Sequence, residues 1–208
     1  MGMFLNSIEP YDKYKTITKG LYFVDKTELL EELIPALEQE QRFFCITRPR
    51  RFGKTVMANM IASFFEKSEG GSDIFDRLKI SEYPKYKEHL NKHDVVYIDF
   101  SEMPKECDSY KKYISRIEEG IYYDLREKYS DLYLKQEDAI WDIFSKIFNE
   151  TKKKFIFVMD EWDAVFHMSF MTEKNREDYL LFLKLLLKGQ SYVELAYMTG
   201  VLPVSYTH

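Results

Sequence analysis

The sequence predicts an α/β domain in which a parallel sheet is covered by helices on both faces. Three observations predict it. Four short runs, "RFFCIT", "VVYIDF", "FIFVMD" and "VELAYMTGV", are nearly continuous in apolar, β-forming residues, as strands buried on both faces are. Longer stretches between them carry apolar residues at helical spacing. The chain has 208 residues, with 45% hydrophobic and 31% charged, a globular balance and a length sufficient for one full core. Residues 1–208 are therefore read as one domain, with 1–40 a lead-in and helix and 41–208 the core.

After a polar, Tyr-rich lead-in comes "GLYFVDKTELLEELIPALEQEQ", where Asp25 and Glu28 have the spacing of a capping box. Leu29, Leu30, Leu33, Ile34 and Leu37 then form one stripe, and Pro35 predicts a kink or an early end. "RFFCIT" reads as a buried strand, β1, and a helix follows Lys54 with Val56, Met60, Ile61 and Phe64 on one side. "KSEGGSD" reads as a loop, and Pro84 prevents a long helix in the polar connection after it. "VVYIDF" is β2. The region from Ser109 to Asn149 holds two amphipathic helices, the first with Tyr113, Ile114, Ile117, Ile121 and Leu125, the second with Ile140, Ile143, Phe144 and Ile147. "KKKFIFVMDEWD" carries β3, "REDYLLFLKLLLKG" is a helix closed by Gly189, and "VELAYMTGV" is β4.

The net charge of -5 argues against the whole surface being a platform for nucleic acid, although Arg48, Arg50 and Arg51 form a local basic cluster. Two cysteines, Cys45 and Cys107, have no spacing that suggests a disulfide framework or a zinc site, so a reducing cytoplasm is expected. The longest apolar run, "YLLFLKLLLKG", is broken by Lys184 and is far shorter than a membrane span. No signal-peptide core stands at the N-terminus.

Two motifs carry chemistry. In "FFCITRPRRFGKT" a strand leads through a turn ending in Gly53-Lys54-Thr55 into a helix, the order a phosphate-binding loop needs, but Arg48 stands where G-x-x-x-x-G-K-[ST] has its first glycine. Gly53 lets the backbone approach phosphate, Lys54 is read as a solvent-facing cation that reaches the β and γ phosphates, and the Thr55 hydroxyl is placed for Mg²⁺. The plain alternative is a basic turn that opens a helix. In "FIFVMDEWD" a buried strand runs into Asp160 and Glu161 at its C-terminal end, the edge where open α/β sheets bind ligands. That is the pattern of a Walker B element, with Asp160 for Mg²⁺ and Glu161 as general base. Thr199 at the end of "YMTG" is read as a sensor of the γ phosphate or its water, and alternatively as turn chemistry. His89 and His93 stand four apart without a third ligand in sequence, so they are read as polar side chains on the surface rather than zinc ligands. Glu150-Thr151-Lys152 echoes the E-x-K of a nuclease but precedes its strand, and Asp163 is left between a metal-shell and a capping role.

"VDKTELL", "RPRRFGKT", "YIDF", "FVMDEWD" and "MTGVLPV", in that order, resemble the AAA-ATPase-like family of bacterial P-loop proteins, often joined to a C-terminal PD-(D/E)XK nuclease-like domain. The similarity spans about residues 5–205, and in that family the loop resembles R-P-R-R-F-G-K-[ST], with arginine in place of the first glycine. The resemblance implies a P-loop NTPase of the ASCE type, with strand order β1, β4, β3, β2. It also implies phosphate and metal contacts at Arg51, Phe52, Gly53, Lys54 and Thr55, metal binding at Asp160 and catalysis by Glu161. With the flanking Arg50 and Val56 and the sensor Thr199, the expected site is ATP at Arg50, Arg51, Phe52, Gly53, Lys54, Thr55 and Val56, metal at Thr55 and Asp160, and catalysis by Glu161 and Thr199. ATP and Mg²⁺ are the expected ligands, with a nuclease-like domain or a second copy of the chain as candidate partners. Trp162 stands where tyrosine is common in that family, and with the sequence ending at His208 the resemblance leads to the expectation of a C-terminally truncated core, without fifth strand, lid or nuclease-like domain. No arginine finger is assignable, so slow ATP hydrolysis is expected. The alternatives are a nucleotide-gated interaction module and a nuclease-associated DNA-binding module.

Overall fold

A computed structural model describes residues 2–39, 42–67 and 73–201. Four strands form one sheet: β1 (Phe43–Thr47), β2 (Asp94–Asp99), β3 (Phe155–Asp160) and β4 (Val193–Gly200). Their order across the sheet is β1–β4–β3–β2 and every pairing is parallel, as expected. Seven helices are α1 (Ile8–Thr18), α2 (Leu29–Glu38), α3 (Lys54–Phe65), α4 (Tyr86–His89), α5 (Tyr110–Lys128), α6 (Ile140–Thr151) and α7 (Glu173–Leu187) among the described residues. Part of the "KSEGGSD" loop and the "LPV" of "MTGVLPV" lie outside them.

Alternation along the strands divides the core into two layers. On one face Val95, Tyr97, Ile156, Val158, Leu195 and Tyr197 pack with α1, α2, α3 and α4. On the other, Val96, Ile98, Phe157, Met159, Ala196 and Met198 pack with α5, α6 and α7. Parallel strands need crossover helices, and these cover both faces, which is why β2 and β3 are buried along nearly their whole length.

Four expectations change. β1 is not buried: it lies at the edge of the described sheet, with Phe43 54% exposed and alternate residues facing solvent. The Tyr-rich lead-in is the helix α1, whose Tyr11 and Tyr14 are buried and whose N-terminus is capped by the Ser7 hydroxyl accepting from the Glu9 N–H. Asp25 does not cap α2. One of its oxygens accepts from the Thr27 N–H and hydroxyl at 2.9 and 2.7 Å, and the other accepts from the Lys79 N–H at 2.7 Å, which ties the chain before α2 to a distant turn. Of the two outcomes read for Pro35, the early end does not occur: α2 continues to Glu38.

The outer edge of β2 is covered by the N-terminal segment. Asn6 N–H donates to the Val95 carbonyl and Tyr97 N–H to the Phe4 carbonyl, both at 2.8 Å, and the buried Asp124 carboxylate on α5 accepts from the N–H groups of Met3, Phe4 and Leu5 at 3.0, 2.6 and 2.9 Å. No helix among the described residues is long and apolar enough to cross a membrane.

Candidate nucleotide site

The sheet register brings the candidate residues to one place. Asp99 pairs with Asp160 across β2 and β3, and Thr199 on β4 pairs with Ile46 on β1, so Asp99, Asp160 and Thr199 share one row at the C-terminal edge. This row lies on the α3 face, and the loop from β1 to α3 closes over it. Arg48 N–H fastens the start of the loop to the Gly200 carbonyl at 3.2 Å.

The loop conformation explains its sequence. Gly53 sits at φ 75°, in the left-handed region, and a Cβ there would meet nothing within 4 Å, so the glycine serves backbone conformation rather than space. Arg51 also has φ 70°, a strained choice for an arginine. Arg48, Arg50, Arg51 and Phe52 are exposed, while Thr55 and Val56 are half-buried at the first turn of α3. Lys54 corrects the expectation of a solvent-facing cation. It is 7% exposed and folds back, donating from Nζ to the carbonyls of Arg48 and Pro49 at 2.8 and 3.0 Å. A lysine so placed holds the loop closed around its own backbone.

Asp160 is fully buried, and burial pushes its carboxyl above the ordinary value. Nearby hydroxyls of Thr199 and Thr55 oppose that shift, and Asp99 adds repulsion. The Thr199 hydroxyl donates to Asp160 Oδ1 and accepts from the Glu161 N–H at 3.2 Å. Thr55 favours the charged carboxylate without closing a bond of normal geometry, and Asp160 Oδ2 is left buried with no hydrogen-bond partner. Such an oxygen is costly to leave unpaired.

Glu161 follows at φ 48°, a conformation that costs an L-residue roughly 1–2 kcal/mol and turns its side chain out of the strand. Burial raises its carboxyl pKa, Asp160 and Asp99 raise it further, and Lys54 and Arg50 pull it down. Trp162 is buried beside β4: a Cβ on Gly200 would lie 2.5 Å from Trp162 Nε1, so only glycine fits there. Asp163 is not in the carboxylate row. Its Oδ2 accepts from the Val201 N–H at 2.8 Å and so fixes the chain as it leaves β4.

Asp99 is the site residue that the sequence reading passed over. Its Oδ1 accepts from the Ser101 N–H and hydroxyl at 2.9 and 2.6 Å, and its charge acts on both Asp160 and Glu161. The signal was present as an aspartate ending an apolar strand. Thr151 and Lys152 of the nuclease-like triplet close α6 instead, with Lys152 left-handed at φ 58°.

Among the described residues no group of three His, Cys, Asp or Glu converges to hold a metal ion. Mg²⁺ in nucleotide sites takes one or two protein oxygens and completes its octahedron with water and phosphate. Asp160 Oδ2 and the Thr55 hydroxyl are the oxygens of that kind here. A family model described as "Predicted AAA-ATPase" matches residues 8–208. A search of curated proteins finds no match.

Proposed function

The chain belongs to the AAA-ATPase-like family, and from that premise we propose that it binds ATP with Mg²⁺ at the C-terminal edge of β1 and β3 and hydrolyses it. The observation that carries this reading is Asp160: fully buried, one oxygen without a partner, beside Thr55 at the first turn of a helix entered through a left-handed glycine. A buried, half-satisfied carboxylate facing a helix N-terminus is an arrangement that a metal–phosphate ligand completes. The position of β4 between β1 and β3 supports the finer assignment to the ASCE type.

In this reading the N–H groups of Gly53 to Val56 and the helix dipole receive the phosphates, and Lys54 exchanges its two carbonyl contacts for phosphate oxygens. Arg50 and Arg51, exposed on the loop, bring further positive charge, and Phe52, 59% exposed, covers the site or the base. Asp160 and Thr55 would hold Mg²⁺, which when bound neutralises charge developing on the phosphate oxygens. Glu161 orients the attacking water and takes its proton; the neighbouring carboxylates that raise its pKa make it the better base. Thr199 couples the two acids, because one hydroxyl bonds both the Asp160 carboxylate and the Glu161 amide.

Glu161→Gln separates binding from turnover. ATP affinity should stay within about threefold of the parent while steady-state phosphate release falls by about 10²-fold or more, the range a positioned general base contributes. Unchanged phosphate release in a parent that does hydrolyse ATP would remove Glu161 from the reaction.

A further inference from the structure

His89 and His93, distant from the nucleotide site, meet Glu194 at the opposite end of the sheet. His89 Nδ1 and His93 Nε2 are 3.0 Å apart, and His93 Nδ1 lies 3.0 Å from Glu194 Oε2. The two imidazole planes differ by 4° and their centres are 5.2 Å apart, which is the nitrogen gap plus the two ring radii. The rings are therefore coplanar and bonded end to end rather than stacked face to face. The two facing nitrogens thus point at each other at hydrogen-bond distance, an arrangement in which one proton lies between them.

Glu194 reaches this position through a β-bulge. Phe155 pairs with Val193 and Ile156 with Leu195, so Glu194 is the extra residue on β4, and its side chain is re-aimed across the end of β3. The side chains of His93 and Glu194 are 12% and 23% exposed. What they anchor is the C-terminus of α3, the helix that begins at Lys54. The carbonyls of Ser63 and Glu66 accept from Asn91 Nδ2 at 3.3 and 2.8 Å, that of Phe64 from the Asn91 N–H at 2.8 Å, and that of Phe65 from the His93 N–H at 2.9 Å. Four carbonyls that the end of a helix leaves open are thus all taken by residues 91–93.

We propose that Glu194, His93 and His89 form a proton-operated clasp on the C-terminal cap of α3, closed while the two rings carry at most one added proton and opened by a second. In the closed state His93 Nδ1–H donates to the Glu194 carboxylate and His93 Nε2 accepts from His89 Nδ1–H, the donor order that the carboxylate imposes. One added proton fits on His89 Nε2. A second, on His93 Nε2, sets N–H against N–H and breaks the line.

The charged groups facing the pair are Glu38 at the end of α2, Glu88 on α4 and Glu194 on β4; Lys85 is bonded to Glu38. The end of α3 brings the uncharged ring of Phe65 edge-on to His93 and, bridged to His93 through its backbone, Glu66, whose carboxyl burial pushes up to about 8. Burial, and then His93, lower the His89 pKa, against a smaller pull upward from Glu38, Glu88 and Glu194. A histidine lowered in the folded state leaves the unfolded chain binding more protons, so the fold around His89 loses stability as pH falls below the ordinary histidine pKa of about 6.5, while the clasp itself opens only with the second proton.

The test is amide hydrogen exchange at Lys67, Asn91 and His93, corrected for intrinsic rates, at about pH 7.5 and about pH 5.0. The parent protein should lose about tenfold or more of its protection at these amides on acidification. His89→Asn, which lets His93 protonate without conflict, should change by less than about twofold. His89→Gln serves the same purpose should the asparagine variant not fold. Equal protection at both pH values in the parent, or a parent-like pH response in the variant, would overturn the clasp.

Discussion

Glu66 ends α3 with its side chain buried, 2% exposed, and burial, helped by the charge of Asp12, pushes its carboxyl up to about 8. It therefore stays protonated in the folded protein over a range in which the unfolded chain has lost the proton. Its contribution to stability is complete below the unfolded value of about 4.3 and is lost as pH rises toward 8, opposite in sign to the histidine clasp. Glu66→Gln keeps the uncharged state at every pH. Urea unfolding should show the parent losing about 1–3 kcal/mol between pH 6 and pH 9 that the variant retains. Parallel pH profiles would mean that Glu66 is ionised in the fold. The same physics acts at Asp160, where burial also favours the neutral acid, but there hydroxyls and a helix N-terminus favour the anion. The Asp12 carboxylate pushes Glu66 the same way as burial does, while Asp160 sits beside the Thr55 and Thr199 hydroxyls that favour the anion.

Among the elements, the N-terminal segment shows how one side chain can finish a sheet. Asp124 accepts from three consecutive N–H groups and holds residues 3–5 against the β2 edge. Asp124→Ala leaves those donors buried without an acceptor and should cost about 2–4 kcal/mol in urea unfolding, with faster exchange at the Tyr97 amide. A loss below about 0.5 kcal/mol would show that the segment is held by its apolar contacts alone. β2, β3 and β4 were legible because parallel crossovers bury them, and β1 because its apolar run has the same composition. α1 was not, because its buried face is made of Tyr11 and Tyr14 set among lysines and threonines, which reads as polar. The exposure of β1 was not, because a run such as Phe43–Thr47 looks the same at a sheet edge as at its centre. At the site, Asp160 and Glu161 announced themselves by ending β3. Asp99 ends β2 in the same way, but its place beside Asp160 comes from the register with β3, and Lys54 turned inward because loop carbonyls, not solvent, were within its reach. His93 and Glu194 are separated by 101 residues and meet through a bulge, which spacing along a chain does not encode.

Across the whole molecule, the two ends of one sheet carry different tasks. The C-terminal edge gathers Asp99, Asp160, Glu161 and Thr199 under the loop that opens α3, and the N-terminal edge gathers Glu194, His93 and His89 under the cap that closes it. α3 spans the two, so order at its cap and order at its first turn belong to one helix. The central claim is that the C-terminal edge is an ATP–Mg²⁺ site in which Asp160 faces the metal. The most direct test is calorimetric titration of the chain with ATP, with and without Mg²⁺, repeated on Asp160→Asn. The parent should bind ATP and gain about tenfold or more in affinity with Mg²⁺, while the variant should keep the metal-free affinity and lose most of that gain. No ATP binding by the folded parent under either condition, or an equal Mg²⁺ gain in the variant, would contradict the account.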